Sequence, residues 1–240
     1  VAIVLGVAMV SGTLVLTDTI DKAFDSIFSS SYEQTDAVVS GKKLVEWSQT
    51  GKAQISPDVL AKVRALPEVK AAGGTIAADD ANVSEIIGRN GKALGSGGAP
   101  TFGLAYDAAQ PQFSPFRLKS GAWPHGADQV AIDAGSAKKA HYAVGDTIRI
   151  RTLGELHRYA VTGIATFGDV NSLGGATMAI YDLPTAQRVL HKQGAYDGIS
   201  IAAKDGVSSA ALVKAVQPLL PASLDVKDSA AQAKADAKDT

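Results

Sequence analysis

Ser56-Pro-Asp-Val-Leu-Ala-Lys-Val-Arg-Ala-Leu-Pro67, followed by Glu68-Val-Lys-Ala-Ala-Gly-Gly-Thr-Ile-Ala77, reads as a helix that stops at a proline and a strand that begins directly after it. Ser56 suits the N-cap, where a hydroxyl can accept from orphan N–H groups, and Pro57 suits the first helical position. Val59, Leu60, Val63 and Leu66 recur at helical spacing and form the buried stripe, which Pro67 terminates. Upstream, Asp36-Ala-Val-Val-Ser-Gly41 is a short strand ending at a turn. The three segments make one β-α-β unit.

The same pattern returns in the C-terminal third. Thr177 to Asp182 is a strand, Pro184 to His191 a helix and Tyr196 to Ala203 a strand. Ser208 to Leu220 is a helix with Leu212, Val213, Val216 and Leu220 inward, and Leu224 to Lys227 a final strand. Between the two units, the stretch from Gly88 to about Gly168 is rich in Gly and Pro. Its short alternating runs are Val130–Ile132, Thr147–Thr152 and Tyr159–Ile164. The expected fold class is α+β: a split ferredoxin-like α/β subdomain of residues 36–87 and 169–228, with an inserted β-rich subdomain of residues 88–168. Beyond it, residues 229–240 are rich in Ala, Lys and Asp and favour an exposed helix, expected to be a second stalk.

Residues 1–16 form an uncharged run of Val, Ala, Ile, Leu and Gly with one Met, interrupted only by Ser11 and Thr13. Sixteen helical residues span about 24 Å, short of a hydrocarbon core of roughly 30 Å. We read the run as a membrane helix whose start is cut away; a buried core helix and a signal peptide are the rivals. No basic flank or small-x-small cleavage site supports the signal peptide. Residues 17–35 continue as an amphipathic stalk, with Ile20, Phe24, Ile27 and Phe28 on one side and Asp18, Asp21, Lys22 and Asp25 on the other.

Composition narrows the function. A net charge of −1 with scattered Lys and Arg gives no footprint for nucleic acid. The absence of cysteine removes disulfides, thiol catalysis, Fe–S clusters and cysteine-based zinc sites. Gly88 to Gly98 superficially suggests a phosphate loop, but Lys92 precedes Ala and the glycine spacing fails. His125, His141, His157 and His191 show no metal-ligand spacing, and no nucleophile elbow occurs. The expectation is a non-enzymatic chain with no catalytic residue, cofactor or metal. Phe102, Tyr106, Phe113, Phe116 and Trp123 concentrate aromatic surface in 22 residues. They serve either as the core of the inserted subdomain or as a patch that meets a partner or lipid.

Several stretches carry a family likeness. Ser11-Gly-Thr-Leu-Val-Leu-Thr-Asp-Thr-Ile20 with Ala23-Phe-Asp25, Ala65-Leu-Pro-Glu-Val69, Gly121 to Pro124, Gln129-Val-Ala-Ile-Asp133, Ala140, Val144-Gly-Asp-Thr-Ile148 and Tyr159 to Ile164 resemble the periplasmic core domain of FtsX-like (MacB-like) ABC transporter permeases, actinobacterial members included. At Gln129 the family usually has an acid, here displaced to Asp128. The resemblance covers essentially the whole chain, and its motifs are scaffold rather than catalytic. It implies a porter-like α/β subdomain and an extracytoplasmic position on the bacterial cell membrane. It also implies a permease dimer working with a cytoplasmic ABC ATPase subunit, passing ATP-driven movement to an external protein or lipid. The alternative is a single-span binding or sensor ectodomain; a membrane-anchored hydrolase lacks every constellation expected of it.

Overall fold

The structure is a computed structural model that describes residues 32, 34–43, 51–76, 83–95, 99–173 and 175–238. Residues 1–16 and most of 17–35, read as membrane helix and stalk, lie outside the described residues. Among those described, no helix is long and apolar enough to cross a membrane.

Two sheets organise the chain. The smaller is built from β1 (Ala37–Gly41), β2 (Val69–Thr75), β10 (Gly198–Ala203) and β11 (Leu224–Asp228). Its order is β11-β1-β10-β2, every neighbour antiparallel. That is fourth, first, third, second, the split β-α-β arrangement of a ferredoxin-like layer. Helices α1 (Pro57–Arg64) and α4 (Ser209–Val216) supply the crossovers. Val59, Leu60 and Val63 of α1 meet Leu212 and Val216 of α4 over Val39, Ile199, Ile201 and Val226. Pro57 sits at the start of α1 as expected, but Ser56 makes no side-chain capping bond; Ser208 caps α4 by accepting from Ala211 N at 3.2 Å.

The larger sheet has seven strands. It comprises β3 (Ser84–Ile87), β4 (Thr101–Tyr106), β5 (Phe116–Gly121), β6 (Gln129–Asp133), β7 (Thr147–Thr152), β8 (Glu155–Phe167) and β9 (Thr177–Asp182). The order is β3-β7-β8-β6-β9-β4, with β5 on the C-terminal half of β8. The sheet curls until its edges meet: Val83 N donates to Thr101 O at 3.2 Å, and a Cβ on Gly103 would fall 2.4 Å from Ser84 Oγ. Inside the curl lie Ile86, Val130, Ile132, Ile148, Ile150, Tyr159 and Tyr181. Helix α2 (Ala134–Ala140) follows β6, its N-terminus capped by Asp133, and α3 (Leu183–Val189) follows β9, capped by Asp182.

The α+β class stands, but elements sort between the sheets differently from expectation. Ser84–Ile87, placed at the end of the α/β layer, pairs with β7, and Thr177–Asp182 pairs with β4 and β6. The second β-α-β unit of the layer is β10-α4-β11, and β9-α3 belongs to the larger sheet. The reason is physical: β9 is buried on both faces, so its apolar run fits a central strand of either sheet. At the C-terminus, α5 (Ser229–Lys238) is helical as expected, and Asp228 caps it by accepting from Ala231 N at 2.8 Å.

Candidate functional site

The five aromatics do not form one bare patch. Phe102 and Tyr106 project from β4 toward Met178 and Ile180 of β9, on the sheet face opposite the isoleucine-rich interior. Trp123 stacks on Tyr106 with ring centroids 4.0 Å apart and planes at 15°. Phe116 meets Phe167 edge-on at 5.6 Å. Tyr106, Phe113 and Phe116 are buried, whereas Phe102 and Trp123 are half-buried. Four of the five thus converge in one cluster. Phe113 stands apart, in a 3-10 turn over Pro111–Phe113, and points to the junction between the sheets.

That junction holds a cavity of about 240 Å³. Gly73, Gly74, Val38 and Ser200 of the smaller sheet form one side; Leu104, Phe113, Phe116 and Phe167 form the other. Two neighbouring glycines let β2 be covered closely on both faces. A Cβ on Gly73 would lie 2.9 Å from Phe113 Cδ2, and one on Gly74 2.3 Å from the Tyr196 ring. At the rim, Tyr32 Oη donates to Asp236 Oδ2 of α5 at 2.6 Å, and Gln232 Nε2 donates to Asp236 Oδ1 at 2.8 Å. Burial, reinforced by the Asp236 carboxylate, pushes the Tyr32 phenol far above its ordinary range. Asp107 is the other carboxylate at this cavity, its Oδ1 accepting from Ala109 N at 2.9 Å.

A second, polar hollow lies between the start of β8 and the end of α3. Asp128, Glu155, His157, Arg158, Arg188 and His191 line it. His157 Nε2 sits 3.1 Å from Glu155 Oε2. His141, the C-cap of α2, and His191, two residues past the end of α3, have left-handed backbones. Among the described residues no cluster of three metal-ligating side chains occurs. The glycine-rich loop after β3 turns back on itself: Ile87 bridges Ala93, and Asn90 Oδ1 accepts from Lys92 N at 3.0 Å. Strand β4, not a helix, is the next element after the described part of that loop.

Several residues at the junction escaped the sequence reading. Tyr32 and Asp236 are separated by 204 positions, and nothing local links them. Gly73-Gly74 did carry a signal, since paired glycines inside a strand mark close approach of another group.

No curated protein sequence matches the chain. Among solved structures, the periplasmic region of MacB from Actinobacillus actinomycetemcomitans is similar at a TM-score of 0.59 and 13% identity, over 86% of this chain and 94% of that one. The extracellular domain of the ABC-type transporter YknZ from Gram-positive bacteria is similar at a TM-score of 0.56 and 10% identity, over 80% of this chain and 100% of that one. At such identities the likeness is one of fold. The model of the MacB-like periplasmic core domain matches residues 1–219, and this chain belongs to that family.

Proposed function

We propose that the chain is the extracytoplasmic domain of an ABC transporter permease in a bacterial cell membrane. In this reading it passes movement driven by ATP hydrolysis in a cytoplasmic ABC ATPase subunit to a target outside the membrane. The carrying observation is the family match over residues 1–219. The geometry supports a mechanical part. The larger sheet is inserted between β2 and β10, and its entry and exit meet where Thr75 pairs with Gly198. A shift of the smaller sheet is therefore passed on through one pair of strands and the junction beside Phe113. The domain acts in a permease dimer next to membrane lipid, without catalysis or a cofactor of its own.

The test uses the full permease with its ATPase in proteoliposomes and a single spin label at Asp205→Cys. Coupling predicts a distance between the two copies that differs between nucleotide-free and vanadate-trapped states. No dipolar signal, or the same distances in both states, refutes it.

A further inference from the structure

Two features of the β7–β8 hairpin each work against stability, and they share a surface. The first is the turn, Thr152-Leu153-Gly154-Glu155. Leu153 has φ +49° and Gly154 φ +91°, the two positive angles of a type I′ turn. Asn, Asp or Gly ordinarily takes the first of these positions, because a side chain's Cβ crowds the following carbonyl there. Burial does not offset the strain: Leu153 is 47% exposed, and Leu156 nearby is 50% exposed.

The second is the register. Arg149 lies directly opposite Arg158, and Arg151 opposite Leu156, all four exposed on the outward face. Like charges directly opposite each other destabilise a strand pair. Arg151 is neutralised by Glu85 at 2.9 Å. Arg149 and Arg158 have no hydrogen bond or ion pair with any described residue. The face therefore presents two guanidinium groups without an ion pair among the described residues, Arg158 at the edge of the hollow that Asp128 and Glu155 also line, bordered by two half-bare leucines.

Its position matters as well. Strand β8 runs 13 residues from this turn to Phe167, which lines the junction cavity with Tyr32 and Asp236. At about 3.3 Å per residue the turn stands about 40 Å along the strand from that junction.

We propose that the outward face of the β7–β8 hairpin is a docking surface for an extracytoplasmic protein segment that carries carboxylates beside apolar side chains. Carboxylates pair with Arg149 and Arg158 through charge-assisted bonds, and Leu153 and Leu156 take the apolar contact. Stability given up locally is recovered on binding, the usual trade at functional surfaces. A second copy is a poor occupant, since a two-fold contact brings the same arginines face to face. A lipid surface fits less well than a protein, because the hairpin lies far from the Tyr32–α5 end of the fold. The inference rests on the extracytoplasmic placement proposed above and is independent of energy coupling.

The experiment places the photocrosslinking residue p-benzoylphenylalanine at Leu156 in the full permease with its ATPase, in the cells that naturally make it, with Asp205 as the control position. The expected adduct is one protein whose attached peptide contains Asp or Glu next to apolar residues. Arg149→Glu creates an opposite-charge pair with Arg158, and Leu153→Asn creates the Asn-Gly turn. Each should lower adduct yield about tenfold or more while raising the Tm of the 240-residue chain by about 1–3 °C. Stability gained with binding lost is a signature no purely structural role produces. The proposal is overturned by no adduct above the Asp205 control, by adducts to lipid or to a second copy, by variants that keep full yield, or by variants that lower Tm. Leu153→Cys in intact cells, treated with a membrane-impermeant maleimide, separates the two levels. Failure to label overturns the extracytoplasmic placement together with the docking surface, whereas labelling without an adduct overturns the docking surface alone.

Discussion

Gly74→Ala should be costly and Gly73→Ala nearly silent, although the two glycines are neighbours on one strand. At Gly74 the new Cβ would sit 2.3, 2.4 and 2.6 Å from three carbons of the Tyr196 ring. Ordinary carbon contacts are about 3.5–4.0 Å, so the ring must retreat by about 1.2 Å or more. It has little freedom to do so, because Tyr196 exchanges both backbone bonds with Ile55 at 2.8 Å and its side chain packs against both large cores. Overpacking of this kind costs about 1–3 kcal/mol, against roughly 0.5–1 kcal/mol gained by replacing a strand glycine. A net loss of about 1–2 kcal/mol lowers Tm by about 2–8 °C in a chain of this size. At Gly73 the nearest atom is Phe113 Cδ2 at 2.9 Å, and Phe113 borders the junction cavity, into which it can shift. Scanning calorimetry of the two variants, with Gly74→Ala repeated in a Tyr196→Ala background, is the assay. The reasoning predicts that the penalty at Gly74 disappears when the ring is absent. An equal penalty in both backgrounds, or equal Tm losses at Gly73 and Gly74, refutes it.

Three further outcomes follow from buried groups. Asp133 is buried and accepts from Ser136 N at 2.8 Å and Met178 N at 2.9 Å, and burial pushes its pKa up despite those bonds. The folded state therefore holds the proton more tightly than the unfolded one, which titrates near about 3.9, and this contribution to stability fades as pH rises through the folded value. In melts from pH 3 to 7, any Tm advantage of the parent over Asp133→Asn should shrink as pH rises; an advantage that grows with pH contradicts the assignment. Four of the six tyrosines, Tyr32, Tyr106, Tyr159 and Tyr181, have phenol pKa values raised chiefly by burial. Their contribution is complete below the unfolded value of about 10 and lost above it. Absorbance at 295 nm should therefore show well under six ionised phenols at pH 11 until the chain unfolds. Leu212 is fully buried between α4 and the smaller sheet, so Leu212→Ala should cost about 2–5 kcal/mol in denaturant titration. A loss under 1 kcal/mol would mean that this core collapses around the gap.

The helix from Pro57 was legible because a punctuating proline stood at each end of a clean apolar stripe. Strands β7 and β8 were legible from alternation, as in Thr147-Ile-Arg-Ile-Arg-Thr152, where Ile148 and Ile150 point in and the arginines out. Alternation shows which face a residue occupies but not which strand lies opposite. The Arg149–Arg158 pairing depends on a two-residue turn whose Leu-Gly composition disguises it. Strand β9 failed for a related reason: buried on both faces, it carries no alternation to identify its sheet, and its partner β4 begins at Thr101. The aromatic cluster was visible as a density of rings, yet its sorting into a stacked group and an isolated Phe113 depends on β4 and the 3-10 turn. Neither element had a distinctive pattern.

The strand order of the smaller sheet also dictates when it can form. Ala37 of β1 pairs with Ile201 and Asp228, and among the described residues β2 pairs only with β10, so neither early strand has a described sheet partner until β10 has been synthesised. Every strand of the larger sheet lies between Ser84 and Asp182 and is complete before β10 begins. At about 5–20 residues per second, β1 waits roughly 8–30 s for its neighbour. During that interval its backbone donors and acceptors are an open edge, the kind that recruits other chains. The larger sheet, although inserted into its host layer, should therefore fold first and hold the ends of that layer together. A chain that ends near residue 190 would be a folded larger sheet carrying an unpaired β-α-β arm, and that arm is where a chaperone should bind.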